Sequence, residues 1–295
     1  MIFEIQIFVK TKKKRNHMDT KSLKLTAEKN RKRLMEIIYS AGAGHTGGDL
    51  SCLNLLTVLY FEKLALDLSN LKNPERDRFI LSKGHCVEAL FVVLEARGIL
   101  PREELDTLGR FNSPLAGHPT VNVPGIEVSS GALGHGLSIG VGTALAAKMN
   151  GRSYMTYVLM GDGEQGEGSI YEAAMAGNQY KLDNLVAFID RNGLQISGST
   201  EDVMAIENIR TKWSAFGWDV LEMNGDDIDD IVRVLGGIKA GGGRPHLVIS
   251  HTTKGYGVSF MEGVAKWHHG VPDKAQYEQA IAEIDERIKR IEEGQ

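Results

Sequence analysis

The sequence predicts an α/β fold: a mostly parallel sheet with helices on both faces. Five short apolar runs rich in Val, Ile, Tyr and Phe recur along the chain, stretches of helical periodicity separate them, and glycine-rich connections lie between the two. Strands alternating with helices imply crossover connections and so a parallel sheet. In chain order, helical patterns cover residues 26–41 and 51–64. The first strand run is 78–81, Arg-Phe-Ile-Leu, followed by helices at 85–97 and 136–149. The second strand, 154–160, leads to a helix at 169–180, and the third, 185–189, to one at 206–216. A strand at 218–223 with its helix at 228–238 and a strand at 246–250 complete the alternation. An amphipathic helix at 274–293 ends the chain. No internal repeat and no Ser/Gly-rich or Pro-rich linker divides it. Residues 23–295 therefore read as one domain behind an extension of residues 1–22.

Composition bounds the function. With 295 residues, 42% hydrophobic content and a formal net charge of -4, the chain reads as soluble and globular, with no general attraction to nucleic acid. The basic run at 10–15 reads as a solvated tail, and Met18 is an alternative start. Apolar residues 1–9 precede the basic run, the reverse of a secretory signal. No stretch approaches the roughly 18 consecutive apolar residues of a membrane span. Cys52 and Cys86 are too few for a disulfide framework, so a reduced, cytoplasmic setting is expected. His85 directly precedes Cys86, but sequence neighbours on a helix point in different directions, which argues against a Cys/His nucleophile.

The chemistry is expected in the loops. The second strand runs into Gly161, Asp162, Gly163, Glu164, Gln165, Gly166, Glu167 and Gly168, with a helix from Ser169. Glycines let backbone approach a phosphate, and the free N–H groups of a helix start favour an anion. The third strand ends at Asp190, Arg191 and Asn192. Asn192 thereby reaches the same carboxyl edge as Asp162, the edge where open parallel sheets bind ligands. A hard cation such as Mg²⁺ takes oxygen ligands, commonly one or two carboxylates with phosphate oxygens. Asp162 offers a carboxylate, Asn192 an amide oxygen and Leu194 a backbone carbonyl, a set that Ca²⁺ or Mn²⁺ would also accept. Gly-Asp-Gly alone is a common turn sequence; the asparagine thirty residues on, after the next strand, gives the pattern its weight. A nucleotide-binding domain is disfavoured, because no GxGxxG follows the first strand and no Walker-type lysine follows a glycine loop.

This arrangement resembles the thiamine diphosphate motif, which opens on GDG and closes on an asparagine about thirty residues later, one βαβ crossover away. The wider chain resembles the N-terminal portion of transketolase from about Lys24 onward. The matching segments are 41–51 (AGAGHTGGDLS), 76–85 (RDRFILSKGH), 117–119 (GHP), 129–136 (SSGALGHG), 161–168, 183–197 (DNLVAFIDRNGLQIS) and 252–257 (TTKGYG), with His269 and Gly270. The resemblance implies that His45, His85, His118 and His269 line the cofactor and substrate channel. His269 is preferred to His268 because the family's histidine directly precedes a glycine. It also places Gly131, Leu133, Gly161 and Gly163 along the cofactor and gives Glu167 a subunit contact around it. Two departures, His135 for a common glutamine and Thr46 for a common proline, bear on substrate preference.

In this family the cofactor carries the hard chemistry and the protein binds and orients. The resemblance implies transfer of a two-carbon ketol unit from a ketose phosphate to an aldose phosphate, with thiamine diphosphate and Mg²⁺. His45 and His269 would assist removal of the donor hydroxyl proton, and His85 and His118 would hydrogen-bond the two-carbon unit. Full-length members continue for two further domains. The expectation is therefore an N-terminal subunit of a split transketolase that borrows the pyrimidine half of its site from a C-terminal subunit in a two-plus-two assembly. The competing readings are another thiamine enzyme, such as a 1-deoxyxylulose-5-phosphate synthase or a pyruvate dehydrogenase E1 α-subunit, and a cofactor-binding module without turnover. Four channel histidines, which a scaffold does not need, argue against the last.

Overall fold

The computed structural model describes residues 18–294; residues 1–17 of the expected extension 1–22, with its basic run, lie outside the described residues. Five strands form one parallel sheet: β1 (Arg78–Leu81), β2 (Thr156–Gly161), β3 (Leu185–Arg191), β4 (Asp219–Asn224) and β5 (His246–His251), in the order β1-β2-β3-β5-β4. All five coincide with the expected apolar runs, shifted by at most a few residues. Side chains alternate between the two faces, as the period of two requires. Phe79, Leu81, Tyr157, Leu159, Val186, Phe188 and Val248 enter one core, and Ile80, Val158, Met160, Leu185, Ala187, Ile189 and Leu247 the other. Because each fully buried apolar side chain contributes about 1.5–3 kcal/mol, a one-residue slip of a strand would exchange both cores at once, and the register is firmly set.

The first core is closed by α1 (Thr20–Ala41), α2 (Thr46–Val58), α3 (Val87–Ala96) and α9 (Ile228–Gly237), with α10 (Lys274–Glu293) outside α1. The second is closed by α5 (His135–Met149), α6 (Gly168–Gln179) and α8 (Ile209–Ala215). Two single turns, α4 (Arg102–Leu105) and α7 (Thr200–Val203), lack the length to carry a periodic signal. Among the described residues no helix is long and apolar enough to cross a membrane.

Helix starts differ from expectation where capping, not hydrophobic period, decides them. α1 begins at Thr20, inside the expected extension, because the Asp19 carboxylate accepts the Ser22 N–H at 2.9 Å. α8 begins at Ile209, later than expected, because the Asn208 side chain accepts the Thr211 N–H at 2.9 Å. α2 begins at Thr46, five residues before the expected start, and its first turn contains Gly47 and Gly48. Those glycines belong to the site.

Register places the site. Gly161 lies opposite Asp190 and Arg191 opposite His251, so the residues that follow β2, β3 and β5 leave the sheet side by side.

Candidate active site

Asp162 follows β2 and is 2% exposed. Its Oδ1 accepts the Gly163 N–H at 2.8 Å, and its Oδ2 accepts the Gly193 N–H at 2.6 Å and Arg191 Nη1 at 3.3 Å. Asn192 Oδ1 accepts the Leu194 N–H at 3.1 Å while its Nδ2 donates to Asp190 Oδ2 at 3.0 Å. One tight turn after β3, with Gly193 at φ +78°, thus links the side chains of Asp162 and Asn192 to the backbone of Leu194. Burial, reinforced by the charge of Asp190, raises the Asp162 carboxyl above its ordinary range. A cation beside it would relieve that cost. Among the described residues no three or more His, Cys, Asp or Glu side chains group as a metal site. A metal here would draw one carboxylate and neutral oxygens from the protein and the remaining oxygens from its ligand, the pattern of a Mg²⁺ ion bound with a phosphate.

Two lysines outside the matching-motif residues expected to act complete this edge. Lys83, just after β1 and 1% exposed, is ion-paired with Asp190 and donates to the Gly48 carbonyl at 3.2 Å. Burial opposes its charge, but the Asp190 carboxylate outweighs burial and raises the ammonium above its usual range. Asp190 also accepts Ser51 Oγ at 2.7 Å and the Thr252 hydroxyl. Lys254, after β5, is 2% exposed, and the Asp190 and Asp162 carboxylates offset its burial only in part and from beyond ion-pair distance. Its Nζ contacts the Leu194 carbonyl at 3.1 Å and His268 Nδ1 at 2.8 Å, with no carboxylate at ion-pair distance among the described residues. Burial, then the nearby Lys83 charge, lowers its affinity for a proton. A buried ammonium without a counter-anion is costly unless an anionic ligand supplies one, so the donor set fits a diphosphate with its metal. Both lysines sit directly after strands in glycine-bearing loops, and that position was the available signal.

The histidines converge. The His45 ring centroid lies 4.5 Å from His269, 5.5 Å from His85, 5.9 Å from His118 and 6.0 Å from His268. His268, set aside in favour of His269, stacks on His85 at 5.4 Å. Burial first, then the neighbouring histidines and lysines, lowers His45 to about 4; burial and Lys254 lower His268 to about 3; burial and Lys83 press His85 below the ordinary histidine range. These three are neutral imidazoles at neutral pH, each able to give one hydrogen bond and accept another. His45 Nδ1 is buried with no partner among the described residues.

Glycines make the convergence possible. A Cβ at Gly48 would stand 2.8 Å from Cys86 Sγ and 3.7 Å from the His85 ring, and one at Gly47 would stand 3.1 Å from the Trp267 carbonyl oxygen and 3.2 Å from Lys254 Cγ. The first turn of α2 therefore nests between the loops that carry His85, Lys254 and His268. The buried Thr46 hydroxyl donates to the Gly270 carbonyl at 2.6 Å. Gly131 lies against His118, where a Cβ would be 3.1 Å from the ring. Leu133 is half-buried, and its carbonyl lies 3.0 Å from Nδ1 of His135, which is itself exposed. Gly161 ends β2, and its N–H donates to Glu164 Oε2 at 3.0 Å.

Of the two acids in the glycine loop, Glu164 turns inward and Glu167 stays exposed beside Gly134. Glu164 accepts the Gly134 N–H at 2.8 Å and the Ser82 hydroxyl, and burial raises its carboxyl. Cys86 is fully buried, and burial with a bond to Cys52 pushes its thiol well up, which removes the thiolate a nucleophile would need.

Comparison with known proteins points the same way. A family profile described as transketolase, thiamine diphosphate binding domain, matches residues 23–287. The chain is 66% identical over 275 residues to an apulose-4-phosphate transketolase subunit from Phocaeicola vulgatus, covering 93% of this chain and 98% of that one. It is 40% identical over 256 residues to a 6-deoxy-6-sulfo-D-fructose transketolase subunit of a Clostridium species, covering 86% and 93%. The fold superposes on transketolase from Leishmania mexicana with a TM-score of 0.80 at 27% identity, over 94% of this chain and 46% of the other. The chain spans less than half of that transketolase and nearly all of the two subunits. It belongs to the transketolase family, through the thiamine diphosphate-binding domain.

Proposed function

We propose that this chain is the diphosphate-binding subunit of a two-chain transketolase-type enzyme, active with a separately encoded C-terminal subunit that brings the pyrimidine-binding domain, in a two-plus-two assembly. The observation that carries the reading is Lys254, a buried ammonium without a carboxylate at ion-pair distance among the described residues, whose neighbours include the Leu194 carbonyl, on the turn that carries Asn192 and bonds to Asp162. Thiamine diphosphate, when bound, supplies a carbon nucleophile for a ketose carbonyl. Asp162, Asn192 and the Leu194 carbonyl would hold Mg²⁺, and Lys254 would neutralise the diphosphate. Gly161 and Gly163 keep the strand end free of side chains, and Gly131 and Leu133 flank the cofactor. Glu167, on the exposed rim, would face the partner subunit.

His45 and His269 lie close enough to share one donor hydroxyl and take its proton; the lowered pKa of His45 keeps it an acceptor at neutral pH. His85 and His118 would hydrogen-bond the hydroxyls of the two-carbon unit. His268, tied to Lys254, orients the lysine. The substrates are sugar phosphates. Apulose 4-phosphate, the substrate in the name of the 66% identical relative, is the first donor to test.

The chain and its partner, mixed, are expected to transfer a ketol unit from apulose 4-phosphate or xylulose 5-phosphate to an aldose phosphate. Robust transfer by this chain alone would refute the split site. Turnover of pyruvate with glyceraldehyde 3-phosphate would favour the synthase reading. Asp162→Ala is expected to abolish metal-dependent cofactor binding in the assembled enzyme; unchanged affinity by calorimetry would remove the metal site from Asp162.

A further inference from the structure

Two buried acids lie outside the machinery just described. Asp49 is in the first turn of α2, four residues after His45, and Glu88 is in the first turn of α3, three residues after His85. Asp49 is fully buried and Glu88 is 3% exposed. Asp49 Oδ1 accepts the Ala89 N–H at 3.0 Å, so the first turn of α2 already holds the first turn of α3. The Asp49 and Glu88 side chains lie within hydrogen-bonding reach of each other, and neither Asp49 Oδ2 nor Glu88 Oε2 has an N–H or hydroxyl donor among the described residues.

Two carboxylates offer acceptors only, so such a contact is repulsive unless a proton lies within it. The charged and titratable groups facing the pair are Lys83, whose ammonium is committed to Asp190 and the Gly48 carbonyl, and the thiol of Cys86. Among the described residues no further cation faces the pair to neutralise a second negative charge. Burial, then the charge of Glu88, pushes Asp49 well above the carboxylate range, and burial takes Glu88 up to about 7.

We propose that Asp49 and Glu88 are positioning residues that share a proton at neutral pH, and that this acid–carboxylate hydrogen bond locks the starts of α2 and α3 together and so fixes His45 against His85. The ring separation of 5.5 Å is then set from beneath the site by a bond that only a protonated pair can make. Loss of the last proton in alkaline solution puts two anions in a dry contact and forces the helix starts apart. The effect on turnover rests on the transketolase-type reading; the shared proton does not.

The first measurement uses this chain alone. Infrared spectra at about pH 7.5 are expected to show the carbonyl stretch of a neutral carboxylic acid that fades as pH rises and is missing from both Asp49→Asn and Glu88→Gln. No such band in the wild type, or a band surviving in both variants, overturns the shared proton. Raised folded-state pKa values mean that the folded chain binds more protons than the unfolded one. Wild-type Tm should therefore fall by several degrees relative to the doubly substituted Asp49→Asn/Glu88→Gln chain between about pH 5 and pH 9. Parallel Tm curves overturn it as well. In the assembled enzyme, Glu88→Gln keeps a hydrogen bond at every pH and should flatten the alkaline fall of kcat. Glu88→Ala, which breaks the tie, should lower kcat on the order of tenfold with little change in KM, as expected for a displaced catalytic group. An unchanged kcat in Glu88→Ala, with the band confirmed, overturns the positioning role and leaves the ketol-transfer reading untouched.

Discussion

Lys83→Met tests the electrostatics of the sheet edge most directly. The substitution keeps much of the buried stem and removes the charge, leaving Asp190, 1% exposed, with Ser51, Thr252 and Asn192 as its side-chain donors among the described residues. Breaking a buried ion pair from one side typically costs about 3–5 kcal/mol, because the remaining charge has neither water nor partner. At roughly 2–4 °C per kcal/mol for domains of this size class, the expected fall in Tm is about 6–20 °C, read by circular dichroism on the full chain at neutral pH. The sign of the pH dependence should change too. In the wild type, burial would raise Asp190 but Lys83 and the hydroxyl donors outweigh it and hold the carboxyl below its usual range. That contribution is present above the unfolded carboxylate pKa and is lost as pH falls through the lower folded value. Without Lys83, burial wins and the folded pKa rises, so the variant should gain stability as pH falls from about 8 to about 5. Lys83→Met/Asp190→Asn should recover more than half of the loss. A loss under about 1 kcal/mol, or a double variant whose loss equals the sum of the two single ones, would refute the coupling.

Lys254→Met should weaken inorganic pyrophosphate or cofactor binding in the assembled enzyme by about 10–150-fold, the worth of one charge-assisted contact. The same change should raise the Tm of the ligand-free chain, and a lowered Tm would mean that the ammonium is satisfied internally. His45 has a folded pKa near 4, so between about pH 6.5 and pH 4 the unfolded chain binds the extra proton and stability falls with pH. His45→Asn should make that slope shallower, and an unaltered slope would place the titration elsewhere. A Cβ at Gly136 would stand 2.4 Å from Ser82 Oγ and 2.8 Å from Ser82 Cα, so Gly136→Ala should destabilise by about 1–3 kcal/mol in urea denaturation. A neutral result would show that the end of β1 yields easily.

The strands were legible because their apolar runs are uninterrupted and double-faced. Tyr157 to Met160 alternate between two cores with no polar position to blur the period. Asp162 and Asn192 were legible as a pair because a single crossover separates them and the parallel register brings their strand ends together. The cluster of histidines was expected from motifs, yet His268 was dropped on a rule about the next residue while the short turn at Ala265–His268 delivers both rings. Lys83 and Lys254 were missed for a physical reason. A lysine in sequence reads as solvated surface, and only the tertiary fold puts its ammonium under a sheet edge. The choice between Glu164 and Glu167 depends on one tight turn at Gly163–Gly166, which selects the acid that faces Gly134 and Gly161. The glycines at 47 and 48 read as loop because intrinsic propensity disfavours them in helices; close packing against Trp267 and Cys86 overrides that preference.

The long segment from Thr252 to Gly270 has the length of a lid but not its freedom. The Gly255 N–H donates to the Gly47 carbonyl at 2.9 Å, and the Thr46 hydroxyl holds the Gly270 carbonyl, so both ends are stapled to one helical turn. Val258, Met261 and Trp267 anchor its middle in the core. Amides here should exchange with solvent as slowly as those of the sheet, opening with α2 as one cooperative unit. A pocket whose walls are already in place levies no conformational tax on affinity. Selectivity among ligands then has to come from the shape and polarity of a rigid wall, and a change of ligand would proceed by replacing side chains along this strap, leaving its anchors alone.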